Sequence, residues 1–172
     1  MKKWLLSFVL VLLVFSLKAQ RYAYVDTDYI LSHIPAYKAA QEKLNELSLE
    51  WQKQVEQVYM EVDQMRRKYQ NEQVLLTPEM QEQRKEQIAA KEKMAQQLQK
   101  QYFGPQGAIF QRREELIKPI QSEVFSAIDE IAADDNYALI FDIAAGPIVI
   151  YNDPKFDISD EVLQILGYKG NK

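Results

Sequence analysis

Few residues in this sequence carry groups that could make or break bonds, and their spacing does not gather them into a site. His33 is the only histidine among 172 residues, and there is no cysteine. A lone imidazole beside Pro35 lacks the further nitrogen or sulfur ligands of a zinc site, so packing or exposure in a loop is its expected role. The acidic pairs Asp134-Asp135 and Asp160-Glu161 read as the end of one helix and the start of another. Acidic charge is unfavourable at a helix C-terminus, which places Asp134-Asp135 just outside. Neither a phosphate-binding glycine loop nor a nucleophile elbow occurs. The residues predict no catalytic group, no metal and no cofactor, and they argue against an enzyme.

What remains is architecture and surface. Met1-Lys2-Lys3 precedes an apolar run from Trp4 to Leu17, the pattern of a secretory signal peptide. The run is short for a bilayer span, so cleavage after Ala19, exposing Gln20, is expected over an uncleaved anchor. Leu17 is larger than the small residue usual three positions before a cut. Loss of residues 1–19 removes Lys2, Lys3 and Lys18, leaving 18 basic against 25 acidic residues and a formal charge of −7. Nucleic acid is excluded as a partner on that balance. Without cysteine there is no disulfide framework, which also suits an open surface in an oxidising compartment.

The elements are few. Arg21–Asp26 reads as a strand, followed by a short helical turn capped by Asp26 or Thr27 and broken at Ile34-Pro35. From Ala36 to about Val74 a helix is predicted, with a seam at Tyr37, Ala40, Leu44, Leu47, Trp51, Val55, Val58, Val62, Met65 and Tyr69. Thr77-Pro78-Glu79 is a cap followed by a helix start. The helix running back has a thin apolar stripe of Met80, Ile88, Met94 or Ala95, and Leu98. Phe103-Gly104-Pro105-Gln106-Gly107 interrupts it as a kink or hinge. The helix resumes through Ile109, Leu116, Ile120, Val124, Ile128 and Ile131, with a second possible bend at Pro119. Strands are predicted at 137–143 and 148–151, then a closing helix capped by Ser159 and ended by Gly167. Three short apolar strands cannot close on themselves, so self-assembly is expected through Tyr22, Tyr24, Val25, Leu139, Phe141, Ile143, Ile148 and Ile150.

The order of signal peptide, strand, helical hairpin, two strands and short helix resembles the Skp/OmpH family of periplasmic chaperones. The ends carry the likeness: YAYVDTDYIL near the start, and YALIFDIAAGPIVIYNDPKFDISDEVLQIL near the end, with Asp142, Tyr151, Asp157, Ile158 and Ser159 at the matching positions. The arms resemble the family only in pattern. The resemblance implies a mostly helical α+β fold and a jellyfish-like homotrimer. Its body would be a small β-barrel of strands from three chains (residues 20–35 and 104–172), and its arms the hairpins of residues 36–103. It implies an ATP-independent holdase for unfolded outer-membrane proteins in the periplasm. One departure is the acidic charge: between Asp134 and Glu161 stand seven acids and one base, Lys155. A lipopolysaccharide site is therefore not carried over, and lipid contact stays open.

Residues 36–103 hold 11 basic and 11 acidic residues, 14 glutamines and every methionine but the initiator. Flexible, polarizable methionines suit varied partners. Candidate client contacts are Met60, Met65, Tyr69, Leu75, Leu76, Met80, Ile88, Met94 and Tyr102, with Gly104, Pro105 and Gly107 as the hinge. For seam residues such as Val55, Val58, Met65 and Tyr69 the plainer reading is packing. For Met60, Leu76 and Met80 both readings stand. A passive coiled-coil scaffold of the envelope is the alternative function.

Overall fold

The computed structural model describes residues 21–144, 146 and 149–171. The signal-peptide reading of residues 1–19 and the assembly role of Ile148 lie outside them. The elements run β1 (Arg21–Val25), α1 (Thr27–Ser32), α2 (Pro35–Glu72), a 3₁₀ turn (Gln73–Leu75), α3 (Pro78–Phe103), α4 (Ala108–Asp134), β2 (Tyr137–Asp142), a second 3₁₀ turn (Pro154–Phe156) and α5 (Ser159–Ile165). Two units divide the chain: residues 21–34 with 122–171, and residues 35–121.

In the first unit, β1 and β2 pair in parallel, with Tyr22 opposite Leu139 and Val25 opposite Asp142. The other side of β1 takes a single bridge to Asp157, where the Ile158 amide donates to the Tyr24 carbonyl at 3.0 Å. Paired on both sides, Ala23, Tyr24 and Val25 are buried. With them lie Ile30 of α1, Val124 of α4, and Val162 and Leu163 of α5. Burial of each large apolar side chain is worth about 1.5–3 kcal/mol.

A third strand was expected at 148–151, and the structure corrects this for the residues it describes: 149–151 form none, and the described residues hold a two-stranded sheet. A strand exists only where its amides find partners, and the flank of β1 that might have taken it pairs with Asp157 instead. Ile150 is left fully exposed.

Three carboxylates lock the end of β1. Asp26 accepts from the Tyr29 amide at 2.9 Å and caps α1. Asp142 accepts from the Thr27 amide at 3.2 Å and the Thr27 hydroxyl at 2.7 Å. Asp157 accepts from the Ser159 amide at 3.0 Å and the Ser159 hydroxyl at 2.5 Å. Ser159 therefore does not cap α5 as expected. It is the first helical residue, fully buried, and its Oγ accepts from the Asp26 amide at 2.9 Å. At the far end Gly167, at φ 81°, closes α5 as expected: its amide bonds the Gln164 carbonyl, and the Tyr168 amide reaches back to Leu163.

Asp134 is a second correction, because it is the last residue of α4 and not outside it. Arg21 brings a cation to this helix end, its guanidinium donating to the Asp135 carbonyl at 2.7 Å and pairing with the Asp135 carboxylate at 3.1 Å. Pro35 likewise opens α2, while α1 ends at Ser32.

Ser159→Ala removes the part-buried hydroxyl that accepts from the Asp26 amide. A loss of about 1–3 kcal/mol is expected, read as a lower urea-unfolding midpoint at fixed protein concentration. An unchanged midpoint would show the knot to be dispensable.

Candidate binding surfaces

The second unit holds the antiparallel pair α2 and α3 together with the first half of α4. Over 38 residues α2 extends about 57 Å, yet it buries only Ala40, Leu44, Val55 and Val62, and α3 only Ile88 and Ala95. Polar and aromatic contacts supply the rest. Trp51 stacks on Tyr102 with centroids 5.0 Å apart, and the Tyr102 hydroxyl donates to Gln54 at 2.6 Å. Tyr59 donates to Gln99 at 3.2 Å. Further toward the turn the links become ionic: Arg66 to Glu92 at 2.7 Å, and Lys91 to Glu61 at 2.6 Å. This register sets Val62 across from Ala95 and Tyr69 across from Ile88.

At the tip the chain turns through Gln73–Leu75, and Val74 and Leu75 stand 85% and 82% exposed. Thr77 caps α3 as expected, its hydroxyl accepting from the Met80 amide at 3.3 Å, with Pro78 at the first turn. Glu79 is held below the ordinary carboxylate value by backbone hydrogen bonding and by Thr77.

Among the proposed client contacts, Met60, Leu75, Met80 and Met94 are exposed. Leu76 is half-buried at the tip. Met65, Tyr69 and Tyr102 are half-buried and Ile88 buried, all along the seam.

The interruption at Gly104–Gly107 is a tight corner. The Gly104 amide bonds the Lys100 carbonyl at 2.9 Å, and the Gly107 amide bonds the Gly104 carbonyl at 2.8 Å. A side chain on Gly104 would fall on the Lys100 carbonyl, and one on Gly107 would come within 2.6 Å of the Tyr102 carbonyl. Glycine is thus required here by close backbone approach.

The first unit carries an apolar groove of about 670 Å³ lined by Tyr22, Tyr24, Phe141, Ile150, Tyr151 and Phe156. Tyr22 and Phe156 rings lie 5.0 Å apart, and Lys155 caps the Phe156 ring at 4.7 Å while pairing with Asp153. Of the proposed assembly residues, Tyr22, Leu139, Phe141 and Ile150 are exposed, Ile143 is half-buried, and Tyr24 and Val25 are buried inside the chain's own fold. His33 bonds the Tyr29 carbonyl at 2.9 Å through Nδ1 and lies against the Tyr29 ring. Among the described residues, no cluster of His, Cys, Asp and Glu has metal-binding geometry, and no helix is long and apolar enough to cross a membrane.

A sequence profile described as Outer membrane protein (OmpH-like) matches residues 21–166. The chain belongs to the OmpH-like family. A solved structure of a candidate outer membrane chaperone (OmpH-like) from Caulobacter crescentus is similar to this one, with a TM-score of 0.65. That likeness covers 86% of this chain and 84% of that chain at 14% identity, so it speaks for the fold. No curated protein matches. As an OmpH-like chain, this one is mostly helical around a small parallel sheet and a long hairpin.

Sequence reading missed the ionic links across the OmpH-like hairpin, because partners 26 residues apart carry no local signature. It also missed the exposed Leu49, Phe110 and Phe125, which helical spacing could have placed off the seam.

The Lys91 ammonium, by hydrogen bond and charge, holds Glu61 below its ordinary value of 4.5. A depressed carboxylate stabilises the fold above its unfolded-state value and loses that contribution as pH falls through the folded one. Amide exchange around Glu61, corrected for intrinsic chemistry, should therefore quicken as pH drops below about 4.5. Glu61→Gln should remove that component, and an identical pH response in the variant would show that the pair does not hold the arm.

Proposed function

We propose that this OmpH-like chain is an ATP-independent holdase chaperone of the periplasm that keeps unfolded outer-membrane proteins from aggregating between its helical arms. The observation that carries this reading is the composition of the arm surface. A hairpin of this length buries six residues along its seam and leaves Met60, Leu75, Met80 and Met94 exposed. Scattered flexible apolar groups among neutral polar ones favour weak, reversible contact with many sequences. Several arms acting together convert weak contacts into useful retention while allowing release. Family membership supports a chaperone role in general. The family resemblance supplies the outer-membrane client class, and the signal-like N-terminal sequence supports a periplasmic site of action.

Homotrimeric assembly through the first unit belongs to the same proposal. A two-stranded sheet is marginal alone, and the exposed Tyr22, Leu139, Phe141 and Ile150 form the kind of apolar patch that marks an interface. The number three comes from the resemblance. The corner at Gly104, Pro105 and Gly107 is proposed as the point where the arms adjust to client size.

Two experiments test this. A urea-unfolded outer-membrane β-barrel protein diluted into increasing amounts of the mature chain should show light scattering suppressed without nucleotide, saturating near one trimer per client. No suppression at several-fold excess would favour the scaffold reading. Separately, sedimentation should give a trimer mass for the wild-type chain and smaller species for Ile150→Asp, which puts a charge where an apolar contact is expected. A monomeric wild type would overturn the assembly.

A further inference from the structure

The two flanks of the hairpin differ in chemistry. Tyr59 with Gln99, and Arg66 with Glu92, define one flank of the seam. Asp63, Glu82 and Lys85 extend it, with ion pairs from Arg67 to Asp63 at 2.8 Å and from Lys85 to Glu82 at 3.5 Å. A cleft of about 180 Å³ on this side is lined by Asp63, Arg66 and Glu92 among others.

The opposite flank, marked by the bond from Tyr102 to Gln54, is different along the whole of α3. Met80, Gln87, Met94 and Gln101 recur every seven residues, with Gln83, Ala90 and Gln97 between them. All seven are exposed and none is charged. On α2 the same flank continues with Gln57 and Gln64, together with Glu50 bonded to Gln54, Glu61 tied to Lys91, and the exposed Lys68. Toward the corner the stripe runs into a concave surface of about 580 Å³ shared by Gln97, Gln101 and Gln111. Among the described residues, none hydrogen-bonds the side-chain amides of Gln83, Gln97 or Gln101.

Two methionines and an alanine are too little apolar surface for a second coiled-coil seam, which needs apolar residues at both positions of the repeat. The seven stripe residues carry no charge, and the charged groups that border them are bonded into the flank, Arg84 to Gln87 and Glu50 to Gln54, so the stripe itself gives no reason for an ionic partner. A primary amide carries one acceptor and two donors, the complement of the unpaired N–H and C=O that an extended chain presents at every residue. We infer that this amide and methionine flank is the client-binding face, and that it holds an extended, unfolded polypeptide through hydrogen bonds to its backbone, with the methionines filling between. Recognition of backbone rather than side chains makes the face indifferent to client sequence. The inference rests on the proposed holdase function and assigns it to one side of the arm.

Neighbouring exposed alanines report the two flanks separately: Ala90 lies on the amide flank and Ala89 on the charged one. Because the chain has no cysteine, Ala90→Cys and Ala89→Cys can each carry a single benzophenone label. With a urea-diluted outer-membrane β-barrel protein as probe, cross-links to client are expected at position 90 several-fold above those at 89. Equal yields, a higher yield at 89, or cross-links at 90 only to another copy of the chain would overturn the assignment. A second variant, Q83M/Q87M/Q97M/Q101M, keeps helix propensity but removes the amides. Affinity for the dye-labelled probe should fall on the order of tenfold, while Q52M/Q70M/Q96M on the other flank leaves it unchanged. Tighter binding by the first variant would show that apolar contact, not backbone hydrogen bonding, drives capture. If wild type itself fails to suppress scattering, the holdase reading falls, and the flank assignment with it.

Discussion

Everything in the first unit depends on closing β1 against partners that lie more than a hundred residues away. Thr27 and Asp142 are 115 positions apart, and Asp26 and Ser159 are 133 apart. Parallel pairing cannot be reached by a tight turn and needs a long crossover, here the entire hairpin with α4. The closure entropy of such a loop grows only slowly with its length, and the helices inside it order themselves locally. What fixes the junction is the concentration of charge-assisted hydrogen bonds donated by backbone amides to the carboxylates of Asp26, Asp142 and Asp157, which are stronger than neutral ones. Val25, Ile30, Val162 and Leu163 are buried in the same unit and add apolar packing to these bonds.

The hairpin solves a different problem. Its helices are far longer than a globular helix, but they share little apolar surface, so local helix propensity and cross-links hold them. Aromatic stacking and amide bonds serve near Trp51 and Tyr102, and ion pairs serve nearer the tip. Exposed ion pairs contribute little each. The stacking and these ion pairs stop short of the tip, where Val74 and Leu75 are the most exposed large apolar side chains of the arm.

Local signals were legible in the sequence and distant ones were not. Thr77-Pro78-Glu79 announced the start of α3 and Gly167 the end of α5, because caps are decided within four residues. The seam residues of α2 followed from their spacing. Two assignments failed for lack of long-range information: Ile150 and Tyr151 carry strand-like composition but find no pairing partner, and Ser159 looks like a cap but is claimed by Asp26 from the other end of the chain. The close backbone approach that Gly104 and Gly107 permit also had no local signature, because the atoms a side chain would meet are set by the corner itself. The amide flank was present in the sequence as a high glutamine count, but only the register of the two helices sorts it onto one side.

The parallel pairing of β1 also has a consequence for how the chain is completed. A polypeptide delivered from its N-terminus presents Arg21–Val25 first, but the carbonyls and amides that satisfy this strand belong to Tyr137–Asp142 and to Asp157–Ser159. The unit of residues 35–121, by contrast, is contiguous in sequence and is complete before Tyr137 is reached. The strand that stands first in the sequence is thus completed by the last fifth of it, and the root closes only when both ends of the chain are in place.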